Sequence, residues 1–292
     1  MIRITAVKMT MTALSAVALG LIMCLHGPTL PKYWLFDLGV PWFFLASGFW
    51  YGQKRVEGLD GYWVQVRKRV GTLLVPYFIW NLIWFPILFV CNWIGWKYCG
   101  AERVVDGSSG CVMRCLGLSP SAWPALVPTW FLRALFVAVV VVGGVDCALG
   151  GLKRLRGLVT VGLLWIVYLT RSVWMPEESI WDGFFTFGLP LIGFACFATG
   201  LVVGRTLPTD GAQDRVPWVQ VVRRQMMPVY VLHAAVIVSV GWVAKAMGVF
   251  GSLATVKGDV VMWFVGIAGA VAIGEVLRRF TPRIAEVLFG GR

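Results

Sequence analysis

Long apolar runs recur along the whole chain, and they constrain its fold more than any other feature. Their length, roughly 18 to 25 residues, is what an α-helix needs to cross about 30 Å of hydrocarbon. Of the 292 residues, 59% are hydrophobic and only 14% are charged, whereas about a quarter are charged in a typical soluble domain. The pattern therefore predicts an all-α integral membrane protein that crosses the bilayer several times.

The apolar segments predict a transmembrane helix bundle of about eight spans, with an upper limit of about ten. The predicted spans are 9–26, 34–51, 72–92, 126–149, 157–173, 183–203, 226–247 and 260–277. We expect a single transmembrane domain over residues 1–292. The connection 92–125 is long enough to form an extracytoplasmic cap within this domain.

The distribution of Lys and Arg indicates the orientation. With the N-terminus inside, the predicted inner segments hold roughly three times as many Lys and Arg residues as the outer ones, as the positive-inside rule requires. Both termini are then cytoplasmic. The formal net charge of +12 is a topology signal and does not indicate nucleic-acid binding, because the basic residues lie in short loops beside the spans. Membrane lipids are the expected surroundings, and the sequence indicates no oligomeric state.

Three of the seven cysteines, Cys99, Cys111 and Cys115, share the predicted outer loop 92–125. A pair of them could form a disulfide if that loop faces an oxidising compartment. No His lies near them, and their spacing matches no familiar zinc pattern. We therefore expect no metal site.

Five short motifs occur in a recognisable order. They are Leu25-His26 at the end of the first span, Val40-Pro-Trp-Phe-Phe-Leu-Ala-Ser-Gly-Phe49, Arg67-Lys-Arg69 followed by Leu73-Leu-Val-Pro-Tyr-Phe78, Thr129-Trp-Phe-Leu-Arg-Ala-Leu135, and Met227-Pro-Val-Tyr-Val-Leu-His233. In this order, over roughly residues 20 to 240, the chain resembles the acyltransferase-3 family of membrane O-acyltransferases.

The resemblance implies an enzyme that uses acyl-CoA, often acetyl-CoA, to modify a hydroxyl of an extracytoplasmic glycan or lipid-linked sugar. It implies a place in the cytoplasmic (inner) membrane of a bacterium and a role in the cell envelope. A typical member has ten spans, an Arg eleven residues before the first-span His, and an Arg-x-x-Arg motif before the third span. In this chain Ser15 occupies the first of these Arg positions, and the motif is Arg69-Val-Gly-Thr72.

Three residues are candidates for catalysis. By the resemblance, His26 is the general base that takes a proton from the acceptor hydroxyl. Without the surrounding motifs, a lone His here would instead be read as the cap of the helix before Gly27-Pro28. Asp37 at the mouth of the second span could orient His26, or be a solvated carboxylate. Arg133 could stabilise an oxyanion or hold a phosphate, or extend its guanidinium to the lipid headgroups.

Four residues are candidates for binding the acyl-CoA. Arg67, Lys68 and Arg69 lie just inside the membrane, where they could bind the phosphates of coenzyme A or serve topology alone. Arg69 is the best single candidate because it occupies the retained motif position. His233, in the seventh predicted span, could line the acyl-CoA path or hydrogen-bond within the bundle.

Two other functions remain open from the residues alone. In a transporter or flippase, the intramembrane polar residues would line a path. A family-derived binding module without catalysis would explain Ser15 at the position where an Arg is usual.

Overall fold

The computed structural model describes residues 2–24, 32–54, 58–93, 126, 129–150, 154–174, 191–207, 216–248 and 256–290. Within these ranges the chain is helical almost throughout and contains no strand. The predicted all-α class is therefore confirmed. Most of the predicted outer loop, residues 94–125, lies outside the described residues.

The described residues contain ten α-helices and one π-helical segment. The first five are α1 (Ile2–Cys24), α2 (Lys32–Gly52), α3 (Gly58–Arg69), α4 (Val75–Trp93) and α5 (Trp130–Ala148), with the π segment Val70–Leu74 joining α3 to α4. The other five are α6 (Arg154–Trp174), α7 (Leu191–Thr206), α8 (Pro217–Ala246), α9 (Val256–Phe280) and α10 (Pro282–Phe289).

Four stretches of the described residues are long and apolar enough to cross a membrane: Gly58–Val90, Trp130–Ala148, Pro217–Gly241 and Val260–Phe280. Three shorter apolar helices cover Ala6–Ile22, Arg156–Thr170 and Leu191–Thr206. The integral membrane character is thus supported. The count of about eight spans and the cytoplasmic position of both termini stay predictions.

The helices divide into two compact units, and the division falls inside α2. The central unit is Phe44–Thr209, and the terminal unit combines Met1–Phe43 with Asp210–Arg292. In the terminal unit α8 packs mainly on α9, and α1 lies against both of them. In the central unit α7 packs on α5 and α6, while α3 and the π segment pack on α5. The single domain predicted for residues 1–292 stays a prediction.

Glycines bring α2 and α7 of the central unit into backbone contact. A Cβ atom added at Gly48 would lie 2.0 Å from the Phe197 carbonyl oxygen, and one at Gly200 would lie 1.9 Å from that of Leu45. One turn further along, Gly52 and Gly204 meet the partner backbone in the same way, each at 2.3 Å. Both helices therefore carry a Gly-x-x-x-Gly motif, which allows membrane helices to approach closely.

This close approach brings together the polar residues that follow the glycines. The Gln53 Nε2 donates to the carbonyl oxygens of Gly204 and Leu207, at 2.5 and 3.3 Å. Tyr51 lies fully buried near the end of α2, with its ring 5.7 Å from that of Phe197. The ends of α2 and α7 are consequently held side by side.

Candidate functional site

A buried ion pair lies at the end of α5 and α7 in the central unit. The Arg205 Nη2 donates to the Asp146 Oδ2 at 2.6 Å. The Asp146 side chain is only 3% exposed and that of Arg205 11%. A charge within an apolar helix is costly unless it is paired, so such residues point to function more often than surface charges do.

Two tyrosines pack beside this ion pair. A Cβ added at Gly143 would lie 2.8 Å from the Tyr51 hydroxyl oxygen and 3.6 Å from the Tyr62 ring. Gly143 thus makes room for both phenols one turn before Asp146. The Tyr62 hydroxyl donates to the Val140 carbonyl oxygen at 3.0 Å, whereas the Tyr51 hydroxyl lies within electrostatic range of Asp146, Arg205 and Arg69.

Arg69 reaches this region because of its position on α3. Tyr62, Val66 and Arg69 are each 7% exposed, and their spacing of four and three residues places them on one face of the helix, which packs on α5. The neighbouring Arg67 and Lys68 are exposed. Burial therefore separates Arg69 from the other two basic residues of its motif. We call Tyr51, Tyr62, Arg69, Asp146 and Arg205 the Asp146 cluster.

The helix changes its winding directly after Arg69. In the π segment, the Val75 amide donates to the Val70 carbonyl oxygen, five residues back. Such insertions often occur at functional sites. Thr72 lies within this segment, and its buried Oγ1 has no hydrogen-bond partner among the described residues, which is uncommon for a buried polar atom.

A second polar group lies where α4 meets the start of α5. Asn81 is fully buried; its Nδ2 donates to the Tyr77 carbonyl oxygen at 2.7 Å and to the Thr129 Oγ1 at 2.8 Å. Its Oδ1 accepts from the Leu126 amide at 2.9 Å. One turn along α5 from Thr129, the Arg133 side chain hydrogen-bonds with that of Tyr77. The structure therefore places Arg133 beside a phenol within the bundle.

Polar residues also follow one face of α1 in the terminal unit. Lys8, Thr12 and Ser15 are each 5% exposed or less. The Ser15 Oγ donates to the Met11 carbonyl oxygen at 2.8 Å and accepts from the Trp42 Nε1 at 3.2 Å. Ser15 is thus packed between two helices at the position where the sequence resemblance implies an Arg.

His233 is completely buried in α8. Its Nδ1 lies 2.9 Å from the Val229 carbonyl oxygen, one turn back in the same helix, and its ring centroid is 6.2 Å from that of Tyr230. If the Nδ1 carries the proton, this contact is a hydrogen bond. The geometry favours a residue that satisfies one ring nitrogen within its own helix, and a role in binding acyl-CoA stays a prediction.

The structure gives no side-chain geometry for two of the predicted site residues, His26 and Asp37. His26 lies outside the described residues. Asp37 falls within α2, but its side chain is not among those described. Among the predicted residues of the central unit, Arg69 joins the Asp146 cluster and Arg133 joins the Asn81 group.

These features occur in a chain whose residues 11–279 match the sequence model of a family described as an acyltransferase domain. The chain belongs to the acyltransferase-3 family. The resemblance of the five motifs is thereby confirmed, and the match extends over residues of both units. No curated protein and no solved structure matches the chain significantly.

Family membership makes the protein a membrane acyltransferase in general terms. The structure shows where several of the motif residues lie. The segment Ala46-Ser47-Gly48 contains a glycine of the α2–α7 crossing. Arg69 and Arg133, from two other motifs, each lie in a polar cluster of the central unit. Of the Asp146 cluster, Arg69 alone belongs to a motif, and the other four residues lie outside every motif: Tyr51, Tyr62, Asp146 and Arg205.

Sequence reasoning missed Asp146 and Arg205 as site residues. Asp146 is the only acidic residue in the predicted span 126–149, and an intramembrane carboxylate is by default a candidate for function, so that signal was present. Arg205 contributed only to the count of positive charges, because nothing in the linear sequence connects it to a residue 59 positions earlier.

Proposed function

We propose that the protein is an integral membrane O-acyltransferase of the bacterial cytoplasmic membrane. It transfers an acyl group, acetyl in our proposal, from cytoplasmic acyl-CoA to a hydroxyl of an extracytoplasmic glycan or lipid-linked sugar. The observation that carries the proposal is the family match over residues 11–279. The hydrophobic composition and the apolar helices support the membrane setting.

In the proposed reaction, His26 removes the proton from the acceptor hydroxyl. The oxygen attacks the thioester carbonyl carbon, a C–O bond forms, and the C–S bond breaks. The proton then passes from His26 to the thiolate of the departing coenzyme A. A histidine suits this role because its unperturbed pKa of about 6.5 allows it to accept and return a proton near neutral pH.

The acyl-CoA donor binds on the side of the membrane where Arg69 lies. The distribution of Lys and Arg along the chain predicts that this is the cytoplasmic side. Arg67, Lys68 and Arg69 offer three cations to the phosphates of coenzyme A. Burial of Arg69 beside Tyr51 supports a specific role for this residue. The exposed Arg67 and Lys68 attract the anion through their charge alone. Arg133 stabilises the oxyanion, with the Tyr77 phenol beside it, and Asp37 orients His26.

The test is acyl transfer by the full-length protein with His26 replaced. His26→Ala and His26→Gln should each lower transfer from acetyl-CoA by at least about 100-fold, because general-base catalysis contributes about 10²–10⁴. The Gln variant keeps the size and hydrogen-bonding capacity of a helix cap without the basic nitrogen. The readout is mass spectrometry of envelope glycans and lipids from cells that carry wild type, either variant or no gene. An acyl mass increment that depends on wild type identifies the acceptor, and an equal increment from His26→Gln would exclude the base role.

One observation favours a second function, a family-derived binding module without catalysis. Ser15 occupies the position of the usual Arg and is packed against Trp42 and its own helix. Purified protein that binds acetyl-CoA but neither hydrolyses nor transfers the acyl group would favour this second function over the enzyme.

A further inference from the structure

Arg205 and Asp146 are buried in the central unit although they belong to none of the motifs that identify the family. Arg205 is the next-to-last residue of α7, and Asp146 lies two residues before the end of α5. Their 2.6 Å ion pair connects α7 to α5 within the Asp146 cluster. An ion pair of this kind holds a guanidinium in one orientation, which an exposed arginine in solvent would not keep.

The cluster is rich in groups that bind phosphate. Among the described residues it brings together the guanidinium groups of Arg69 and Arg205, the phenols of Tyr51 and Tyr62, and a single carboxylate. A guanidinium carries five N–H donors in a planar fork, so an arginine can contact a carboxylate and a phosphate at the same time. Arginine is favoured over lysine for such planar recognition.

Backbone contacts bring the helices that carry the cluster together. The Gly48, Gly52, Gly200 and Gly204 crossing brings α2 against α7, and Gln53 fastens the end of α2 to the Gly204 and Leu207 carbonyls. The buried face of α3 packs on α5 and carries Arg69. The two arginines are therefore presented by rigid helices, as a binding site requires.

We propose that Arg205 is the second phosphate-binding arginine of the acyl-CoA site, beside Arg69, and that Asp146 is the positioning residue that holds it. This inference rests on the proposed function, because it takes acyl-CoA as the ligand. The Tyr51 phenol lies within electrostatic range of both members of the pair. Arg205 contacts the ligand, whereas Asp146 acts only through Arg205.

The test compares coenzyme A binding by full-length proteins in lipid nanodiscs. The double variant Asp146→Asn/Arg205→Gln removes both charges at once, so no single buried charge is left uncompensated. We expect its Kd for coenzyme A to rise at least 10-fold, while Arg205→Lys, which keeps the charge but not the fork, shows a smaller rise. The matched control is Arg279→Gln, which removes an exposed arginine of the terminal unit and should leave the Kd unchanged.

A structural role and a binding role predict different results. If Arg205 binds phosphate, the variants raise the KM for acetyl-CoA more than they lower kcat, and the loss of affinity shrinks as salt is added. Asp146→Asn alone should lower affinity less than the double variant, since Arg205 keeps its charge. A double variant that melts at the wild-type temperature and binds coenzyme A as tightly as wild type overturns the proposal.

Two further outcomes separate this inference from the proposed function. If the wild type itself neither binds coenzyme A nor transfers an acyl group, the acyltransferase proposal fails and this inference fails with it. If the wild type binds and transfers but neither Arg205→Lys nor the double variant changes the Kd, only the role of Arg205 is rejected. Should the double variant not assemble, the Kd of Arg205→Lys decides alone, and a wild-type value overturns the proposal.

Discussion

The central and terminal units each contain a carboxylate in contact with arginine, yet the two groups differ in burial. In the central unit Asp146 and Arg205 are 3% and 11% exposed. In the terminal unit Glu275 is 43% exposed; it pairs with Arg224, 53% exposed, at 2.9 Å and with Arg278, 12% exposed, at 3.0 Å. Gln225 also hydrogen-bonds to Glu275. The same chemistry therefore occurs in a buried pair of the central unit and in a partly exposed group of the terminal unit.

The difference in burial predicts how much each ion pair contributes to the stability of the protein. An exposed ion pair contributes about 0–1 kcal/mol because water and salt screen it. Removing one partner of a buried pair costs about 3–5 kcal/mol, because the other charge is left in a poorly polarisable surrounding. We therefore expect the Asp146 pair to be sensitive to single substitutions and the Glu275 network to tolerate them.

The largest effect on stability should follow from Asp146→Ala. This change leaves the Arg205 guanidinium buried without its carboxylate and should lower the free energy of unfolding by about 3–5 kcal/mol. The measurement is equilibrium unfolding of the purified protein in detergent micelles. The double variant Asp146→Ala/Arg205→Ala should recover a large part of the loss, because no unpaired charge remains; equal losses in both variants would contradict the comparison.

A smaller effect, about 1–3 kcal/mol, is expected from Gly200→Ala. The added Cβ would lie 1.9 Å from the Leu45 carbonyl oxygen, so α2 and α7 must separate. Separation also displaces Tyr51 from Arg205, and the KM for acetyl-CoA should rise with the loss of stability. The matched control is Gly162→Ala in α6, where no atom lies within 4 Å of the added Cβ. Its stability should not fall below that of wild type, and its KM should not rise above the wild-type value.

The smallest effect should come from Glu275→Gln in the terminal unit. Glu275 and Arg224 are each about half exposed, so the loss should be below about 1 kcal/mol and should vanish as the ionic strength rises. Unfolding curves at low and high salt test this directly. A salt-independent loss as large as that of Asp146→Ala would show that burial does not separate the two groups.

Part of the candidate site was predictable from sequence because it depends on local patterns. The motif positions of Arg69 and Arg133 identified two residues that do lie in polar clusters of the central unit. Helical spacing explains why Arg69 is buried while Arg67 and Lys68 are exposed, yet the spacing alone does not say which face of α3 packs on α5. The role of His26 stays a prediction, since it lies outside the described residues.

The sequence missed the partners in these clusters, because long-range contacts bring them together. The sequence predicts that the basic residues lie in short loops beside the spans, whereas Lys8 is buried in α1. Asp146 meets Arg205 across 59 residues, and Asn81 meets Thr129 across 48. No periodicity links such pairs, because each depends on which helices are neighbours.

By itself, the sequence determined that this protein is helical, that it belongs in a membrane and which family motifs it carries. Each of these properties depends on local composition, since hydrophobic length and short motifs are read along the chain. Only the tertiary structure decided that glycines in α2 and α7 allow backbone contact, and that this contact brings Tyr51 and Arg205 together. The physical reason is that the burial of a charged residue depends on which helices pack around it. The sequence therefore does not distinguish an exposed loop charge from one that is buried in a polar cluster.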